Sequence, residues 1–318
     1  MQYVNPTLTL KKTRHTESAS RLFPDLLLRL RYRARVKIWQ IYFQDAQRDC
    51  LDPGFEPFDN SQDRAEALEF DVFQRLWRGP DTSGLSHWGA LSWRFGEKTG
   101  LASEDLWQAI AADPGVDVFF MNPHPKDEAL FESCWVQGDV SHPGFLELAQ
   151  AILVGLGWPK EEVYRLMHAS SYALCNYFIG TPSFWSSYVP FVERSLAWAE
   201  NHLSLDLLRR LHSSEADWMH RHSGATFVPF MIERLFSVYI KREGKHLKAK
   251  QLRLPKREAL MSRELCEIRD IKHAAMLSGS GRIIDQWRKA REAHLRRYQG
   301  RAWCERFMPQ LTACPVIL

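Results

Sequence analysis

Short apolar segments alternate with helical patterns along the first two thirds of this chain, and this alternation constrains the fold more than any other feature. The predicted strands share β-branched and aromatic residues and occupy residues 36–43, 87–95, 116–121 and 173–179. The predicted helices share apolar residues three and four positions apart and occupy residues 63–77, 103–112, 143–156, 160–167 and 228–243, with another after the turn at residues 180–182. Strands and helices that alternate at this interval predict an α/β layer architecture.

Composition narrows the class of protein. The chain has 318 residues, of which 45% are hydrophobic, and this is enough for a large core. Its six cysteines are scattered without a CxxC pair, which argues against a disulfide framework and favours a reducing, cytoplasmic compartment. No segment has the ~18 uninterrupted apolar residues that a spanning helix needs. We therefore expect a soluble protein or one that lies on a membrane surface.

Sequence motifs argue against several common kinds of site. Neither GxGxxG nor GxxxxGK[ST] is present, so no dinucleotide loop or P-loop is expected. HExxH and GxSxG are also missing, which leaves no signature of a zinc protease or of a serine hydrolase. His220 and His222 form an HxH pair without a nearby group of carboxylates. We interpret them as surface histidines and predict no metal site there.

The formal net charge of +4 hides a strong asymmetry along the chain. Residues 1–37 carry nine Lys or Arg and two Asp or Glu, whereas residues 245–318 carry 17 and seven, so the middle of the chain is acidic. We predict a basic N-terminal segment (1–35, partly an amphipathic helix), a central domain (36–244) and a basic helical C-terminal extension (245–318). Basic segments of this kind are attracted to anionic lipid or to nucleic acid.

Polar residues follow or interrupt the predicted strands. Asp45 follows the first strand, Arg94 lies at the end of the second, and Asn122 and His124 follow the third. Ligands of α/β sheets bind beyond the carboxyl ends of the strands, so these residues predict one shared site. Asn176 lies inside the fourth predicted strand, where its amide must find hydrogen-bond partners. It is therefore either a satisfied core residue or part of the site.

Seven ordered segments of the central domain together resemble a group of bacterial polysaccharide-locus glycosyltransferases of the GT-A-like type. In chain order they are QIYF, LDPGFEPFDN, GALSWRFGEKTG, DVFFMNPHP, WVQGDVSHPG, CNYFIGTPSFW and PFMIERLFSVYI, within residues 36–243. The resemblance implies a GT-A-like, Rossmann-like central sheet flanked by helices. It also implies transfer of a hexosyl group from a nucleotide-sugar donor to a glycan or lipid-linked acceptor, as in the synthesis of capsule or O-antigen.

The resemblance also implies roles for individual residues. Those it assigns to the donor are Gln40, Tyr42, Asp59, Asn60, Arg94, Lys98, Asn122 and Gln137. Of these, Arg94 and Lys98 would contact the diphosphate, a role that suits the guanidinium fork. Those it assigns to the acceptor side are Asn176, Trp185 and Arg234.

One feature of metal-dependent enzymes of this type is missing. They have a DxD-like pair of carboxylates after the central strand, where the acids hold a divalent ion on the diphosphate. Here that strand ends in NPHP at residues 122–125, without an acid. Either Arg and Lys neutralise the diphosphate without a metal, or Mn²⁺ or Mg²⁺ binds elsewhere, for instance at Asp117 or in the loop that contains Asp45.

An inverting transfer needs a side chain that accepts the proton of the acceptor hydroxyl. The candidates are Asp139, His142 and Glu233. His142 has the ordinary pKa nearest to neutral pH, about 6.5, although a structural histidine in this turn is an equal alternative. Glu233 and Arg234 lie within the apolar stripe of a helix, so they either form an internal ion pair or face the site. A retaining reaction is also open.

Two other classes of function compete with the transferase. The basic extension contains Trp287, Tyr298 and Trp303 among its arginines, as some nucleic-acid-binding segments do, although the acidic middle of the chain would repel a phosphate backbone. The third possibility is a catalytically inactive scaffold of the same fold. For the transferase, the basic ends would hold the protein on the inner face of the cytoplasmic membrane, near a lipid-linked acceptor.

Overall fold

A computed structural model of the chain describes residues 35–62, 66–214 and 224–318. The predictions for residues 1–34, including most of the amphipathic helix, lie outside these ranges. The predicted surface pair His220 and His222 also lies outside the described residues.

The described strands form one mixed sheet in the order β2-β1-β3-β5-β4-β6. They are β1 (Val36–Tyr42), β2 (Glu56–Asp59), β3 (His87–Ser92), β4 (Val118–Phe120), β5 (Phe178–Gly180) and β6 (Ala249–Gln251). β1, β2, β3, β4 and β6 run in one direction, and β5 runs antiparallel to its neighbours β3 and β4. The predicted α/β class is confirmed.

Helices flank this sheet. In chain order they are α1 (Glu69–Arg78), α2 (Phe95–Thr99), α3 (Ser103–Ala112), α4 (Pro125–Leu130), α5 (Cys134–Ser141), α6 (Phe145–Gly155), α7 (Pro182–His202), α8 (Leu205–Leu211), α9 (Phe227–Tyr239), α10 (Pro255–Glu258), α11 (Arg263–Ser278), α12 (Gly281–Tyr298) and α13 (Arg301–Ala313). Short 3-10 helices occur at Asp45–Cys50, Pro80–Thr82, Lys160–Tyr164 and Ala169–Ser171. None of the described helices combines the length and the apolar character that crossing a membrane requires.

Each face of the sheet buries its own core, because side chains alternate along the strands. On β1, Trp39 and Ile41 join the larger core, to which α1, α6, α7 and α9 contribute. Val36 and Ile38 join the smaller core, to which α2 and α3 contribute. The strands β1, β3, β4 and β5 are almost entirely buried, as expected for a sheet that is covered on both faces.

Trp185 belongs to the larger core and not to a ligand site. Its ring is fully buried and stacks on Trp88 with 4.1 Å between the ring centroids. Its indole N–H donates to the carbonyl oxygen of Trp88 at 3.0 Å, which fixes α7 to β3. The acceptor-side role predicted for Trp185 therefore has no exposed surface on which to act. The aromatic spacing of this helix reflects core packing.

Several predicted elements differ from the observed ones in their bounds or type; β3, for example, ends at Ser92, and Phe95, predicted in the strand, begins α2. β5 begins at Phe178, so Asn176 precedes the strand instead of lying inside it. Residues 160–167, predicted as an α-helix, form only the 3-10 helix Lys160–Tyr164. The helix ends there because the backbone N–H groups of Leu166 and Met167 donate to the distant carbonyl oxygens of Ile317 and Glu132, at 2.7 and 2.8 Å. By contrast, α3 has the predicted bounds.

The predicted boundary at residue 244 does not separate two structural units. β6 pairs with β4 in parallel, with Ala249 opposite Val118, so the chain after residue 244 completes the sheet. The helices α11–α13 then pack on α4 and α5 through an apolar cluster that includes Val136, Ile268 and Trp287. Residues 245–318 are mostly helical, and in this structure they pack into the fold instead of extending from it as an arm.

Basic residues of the C-terminal helices are buried in this contact. Arg291 forms an ion pair with Glu132, and both side chains are fully buried. Lys272 donates to the carbonyl oxygens of Glu128 and Phe131 at 2.6 Å each. Burial lowers the pKa of Lys272 to about 8. Lys272 and Arg291, which were predicted to attract a membrane or nucleic acid, thus stabilise the chain segment that follows β4.

We expect Arg291→Met to lower the free energy of unfolding by about 3–5 kcal/mol, because Glu132 is left buried without its partner. The double variant Arg291→Met/Glu132→Leu should regain most of this loss. Urea unfolding measures both. Arg301→Met, which breaks the exposed pair with Glu305, is the control and should change stability little. Equal losses for Arg291→Met and Arg301→Met would contradict this role for the buried pair.

Candidate active site

The carboxyl edge of the sheet is the edge at which β1, β2, β3, β4 and β6 end and β5 begins. The chain leaves β1 for β2 on one side and later returns to β3 on the other side, so the strand order reverses next to β1. Such a reversal opens a crevice between the ends of the two strands, and ligands of open α/β sheets bind there. Tyr42, Asn122 and Asn176 lie at this edge or directly beyond it.

Asn122 and Asn176 are the residues that follow the pairing of β4 with β5 at the carboxyl edge. Phe120 pairs with Phe178, and the backbone N–H of Met121 donates to the Tyr177 carbonyl oxygen at 3.2 Å, one residue past the strands. One further step of this register would put the two asparagine side chains opposite each other, on the same face. Both asparagines are buried, at 3% relative exposure.

The amides of these two asparagines are short of partners. The Asn122 Oδ1 atom accepts a hydrogen bond from the backbone N–H of His124 at 3.1 Å. Its Nδ2 atom, and both Nδ2 and Oδ1 of Asn176, have no hydrogen-bond partner within the described part of the chain. Buried amide groups without a hydrogen-bond partner are rare and destabilise a fold, so their presence here indicates a ligand-binding position.

Glu233 reaches the carboxyl edge from α9. One turn further along the helix, Phe236 packs on Phe120 and Phe178 with centroid distances of 5.1 and 4.6 Å. Beyond it, Tyr239 packs on the first turns of α7, which starts at the opposite edge, where β5 ends. The N-terminal part of α9, with Glu233, therefore points toward the edge where Asn122 and Asn176 lie.

Glu233 has a strongly perturbed carboxyl group near this edge. Burial raises the pKa of Glu233 to about 7, against the opposing charges of Arg234 and Lys98. Its side chain keeps 21% of its surface exposed, and its contact with Arg234 is long, with 3.7 Å between Oε2 and Nη1. A carboxyl group that is partly protonated at neutral pH is able both to accept and to donate a proton.

Arg234 is buried, and its guanidinium is used in hydrogen bonds within the protein. Its guanidinium donates to the carbonyl oxygens of Cys134 and Phe230 at 2.9 Å each and to the Gln137 Oε1 atom at 2.8 Å. The Gln137 amide in turn donates to Asp127 at 3.2 Å. Burial raises the pKa of Asp127 to about 6. Arg234 and Gln137, predicted on opposite sides of the site, thus form one network that joins α5 to α9.

Two basic side chains follow β3 at the carboxyl edge. Lys98 is half-buried and forms no ion pair with any carboxylate that the structure describes, although the fields of Cys175, Glu233 and Glu69 raise its pKa. Arg94 makes a bidentate ion pair with Glu97, at 2.8 and 2.7 Å, and keeps 40% of its side-chain surface exposed. A ligand anion can therefore bind Lys98 directly and compete with Glu97 for Arg94.

Three groups that interact with Glu233, Arg234 or Lys98 were not predicted from the sequence, namely Glu69, Asp127 and Cys175. Burial raises the pKa of Glu69 and raises that of the Cys175 thiol to about 12. Glu69 opens α1 directly after Leu68, whose φ of 50° lies in a region that side chains rarely adopt. Strained residues of this kind collect at functional sites. The only feature of the sequence that could have pointed to Glu69 is its place as an acidic residue in the first turn of helix α1.

His124 lies two residues after Asn122. Desolvation of its ring by the surrounding groups, together with the positive charges of Lys98, Arg257 and Arg234, lowers the pKa of His124 to about 4. The imidazole is therefore neutral at physiological pH. In that form it offers one hydrogen-bond donor and one acceptor and no positive charge.

The Gln40 side chain links β1 to backbone groups of two other segments near the crevice. Its amide oxygen accepts a hydrogen bond from the backbone N–H of Asp52 at 2.7 Å. Its amide nitrogen donates to the carbonyl oxygens of Ser92 and Trp93 at 3.3 Å each, and the side chain is buried. The predicted donor residue thus joins β1 to the end of β3 and keeps no polar atom free.

Tyr42, Asp59 and Asn60 lie together at the ends of β1 and β2. Tyr42 is opposite Asp59 in the register, and burial and then a hydrogen bond to the Asp59 carboxylate raise the pKa of Tyr42. The Asn60 Oδ1 atom accepts a hydrogen bond from Arg75, while its Nδ2 atom has no partner among the described residues. These predicted donor residues are therefore brought together at the carboxyl edge.

Asp139, in the last turn of α5, and His142, directly after α5, have structural roles. The Asp139 carboxylate accepts hydrogen bonds from the backbone N–H groups of Gly144 and Leu146 at 3.1 and 3.0 Å, which caps the start of α6. His142 is buried and stacks on Phe230, with 3.7 Å between the ring centroids. Neither arrangement leaves a group that is poised for proton transfer, so we correct their predicted role as bases.

Asp117 and the loop that contains Asp45 were the alternative positions considered for a divalent ion. Asp117, considered as an alternative ligand, precedes β4 and lies at the opposite edge, where it accepts a hydrogen bond from the Lys248 backbone N–H at 2.8 Å. Asp45 is exposed in the 3-10 helix Asp45–Cys50. In the ranges that the structure covers, no three His, Cys, Asp or Glu side chains converge to hold a metal ion.

Comparisons with models of protein families, with characterised proteins and with solved structures found no match to this chain. The function must therefore be argued from the residues at the carboxyl edge.

We expect Glu233→Gln to change how stability depends on pH. The folded-state pKa of Glu233, about 7, lies above its unfolded value of 4.5, so the wild-type protein loses stability as pH rises through this window. The variant lacks this loss and should be more stable than wild type by about 3 kcal/mol at pH 8 but equal to it at pH 4. Urea unfolding across this pH range measures the difference.

The matched control is Glu243→Gln, which removes an exposed carboxylate that pairs with Arg194. It should follow the pH dependence of the wild-type protein. Parallel curves for Glu233→Gln and wild type would show that Glu233 is not perturbed.

Proposed function

We propose that this protein is a glycosyltransferase with a GT-A-like arrangement that moves a hexosyl group from a nucleotide-sugar donor to a glycan or lipid-linked acceptor in bacterial surface polysaccharide synthesis. One observation carries the proposal. A carboxyl group with a pKa of about 7, Glu233, shares the carboxyl edge with a lysine, Lys98, that has no ion-pair partner among the described residues. Glycosyl transfer needs both a proton acceptor and a positive charge for the leaving diphosphate.

Lys98 and Arg94 supply the positive charge in this proposal. The leaving nucleoside diphosphate gains negative charge as the bond to the sugar breaks, and cations fixed next to it stabilise that charge. Lys98 is half-buried, where a charge interaction is stronger than in bulk water. Arg94 offers its planar fork once the diphosphate replaces Glu97.

Glu233 is the proton acceptor in the proposal. Its pKa near neutral pH means that a large fraction is ionised, while the group still binds a proton with useful strength. In an inverting reaction it would take the proton of the acceptor hydroxyl as that oxygen attacks the anomeric carbon. Neither Asp139 nor His142 has a comparable position, because the Asp139 carboxylate caps α6 and the His142 ring stacks on Phe230.

A position at the cytoplasmic membrane is part of the proposal. The surface of α12 exposes Arg282, Lys289 and Arg296, which supports attraction to anionic lipid near a lipid-linked acceptor. Nucleic acid has less support, because Trp287 is fully buried and cannot stack on a base. Lys272 is likewise buried and cannot reach a phosphate.

A thermal-shift screen against nucleotide sugars, with and without Mn²⁺, tests the donor. At least one nucleotide sugar should raise the melting temperature, as any ligand that prefers the native state must. Lys98→Met should weaken this donor by about tenfold, the loss expected for one hydrogen bond to a charged group. Lys289→Met, which removes an exposed lysine from α12, is the control and should bind like wild type. No stabilisation by any nucleotide sugar would favour an inactive scaffold.

Turnover tests the proton acceptor separately from binding. We expect Glu233→Gln to bind the donor as wild type does but to lower turnover by about 100-fold or more, the usual contribution of a general base. Release of nucleoside diphosphate from the donor, by transfer to acceptor or to water, is the measurement. Undiminished release by Glu233→Gln would remove this residue from the chemistry.

A further inference from the structure

We propose that Asn122 and Asn176 form an amide pair that binds hydroxyl groups of a neutral hexose, the sugar carried by the donor. This inference rests on the proposed function and assigns a substrate group to one part of the same edge. The sequence predictions assigned Asn122 to the donor and Asn176 to the acceptor. Both follow the last observed bond between the two strands by one residue, and the same register would put them side by side on one face, so we assign them to one ligand.

The free atoms of the pair define the chemistry of this ligand. Two amide N–H₂ groups, from Asn122 and Asn176, and one amide oxygen, from Asn176, are buried without a partner in the described chain. A hydroxyl group both donates and accepts a hydrogen bond, so two neighbouring hydroxyls of a sugar ring match this set of two donors and one acceptor. A carboxylate or phosphate accepts only and would leave the Asn176 oxygen unsatisfied.

Two charged groups of opposite sign lie near the pair. Glu233 approaches the same edge from α9, and the Lys98 ammonium, 5.9 Å from the centroid of the Tyr177 ring, is close enough to Glu233 for the two charges to interact. A bound diphosphate would compete with Glu233 for the lysine. The donor would therefore bind with its diphosphate at Lys98 and its sugar over the start of β5 and the end of β4, beneath Glu233.

A structural role does not account for the amide of Asn176. A buried amide that stabilises the fold uses its polar atoms, as Gln40 does with three bonds to the backbone. Asn176 is buried and uses neither of its side-chain polar atoms within the described chain, so it costs stability that only a ligand or a bound water can return. Residues kept at such a cost are characteristic of functional sites.

The test compares nucleoside diphosphates with their sugar conjugates. Dissociation constants for UDP, GDP, UDP-glucose, UDP-galactose and GDP-mannose are measured by calorimetry on wild type, Asn176→Leu and Asn176→Ala. Both variants should bind the sugar conjugate about tenfold more weakly than wild type and the bare nucleoside diphosphate equally well. Asn176→Leu keeps the approximate volume, and Asn176→Ala guards against overpacking by the leucine.

The melting temperature of the ligand-free variants is the second measurement. Removing an unpaired amide should leave it unchanged or raise it, whereas removing a structural amide lowers it. Tyr188→Phe is the matched control. The Tyr188 hydroxyl is also buried without a partner in the described chain, but this side chain projects from α7 into the larger core. It should leave both dissociation constants unchanged.

The outcomes separate this inference from the proposed function. If none of these nucleotides or conjugates binds wild type, both are overturned. If a conjugate binds and Asn176→Leu and Asn176→Ala retain its full affinity, the amide pair is overturned while the proposed function stands. Loss of stability in both variants, with equal weakening of the bare nucleotide and of its conjugate, shows a structural role for Asn176 and also overturns the pair.

Discussion

The close approach of β5 to β3 is the constraint on which the rest of the structure depends. A Cβ atom at Gly89 would lie 2.4 Å from the carbonyl oxygen of Phe178, closer than real contacts allow, so only glycine lets the two strands meet here. Because β5 runs against its neighbours, the residues before it arrive at the carboxyl edge and the residues after it start α7 at the opposite edge. One short antiparallel strand thus brings Asn176 to the site and Trp185 into the core.

The second constraint acts on the other side of the site. The segment after β4 contains Asn122, His124 and Asp127, and nothing in β4 itself fixes its course. Lys272 and Arg291 of the C-terminal helices bind the end of this segment through two carbonyl oxygens and a buried carboxylate. These two positive charges, which in the sequence suggested an anionic partner, therefore stabilise the segment that carries site residues. Because Arg291 is buried, only the exposed basic residues of α12 remain available to such a partner.

The sequence predicts what local patterns determine and misses what depends on distant contacts. The α/β class and the polar strand ends follow from periodicity within about ten residues, and both are visible in the structure. The direction of β5 and the pairing of β6 with β4 depend on which strands become neighbours, which no local pattern records. Asp139 was predicted as a base because an acid in a turn does not reveal that it caps a helix. Glu69 and Asp127 were missed because their pKa values rise only through burial.

Under the proposed function, the charges at the carboxyl edge couple donor binding to the basicity of Glu233. In the free protein the positive charge of Lys98 lowers the pKa of Glu233, against the larger effect of burial. A diphosphate bound to Lys98 offsets that charge, and the sugar displaces water from the edge, so both changes raise the pKa of Glu233. The carboxylate then binds a proton more strongly when the donor is present than when it is absent, and a smaller fraction of it is ionised at a given pH. Because only the ionised carboxylate accepts a proton, turnover that uses Glu233 as the base would rise over a higher pH range than the titration of the free protein.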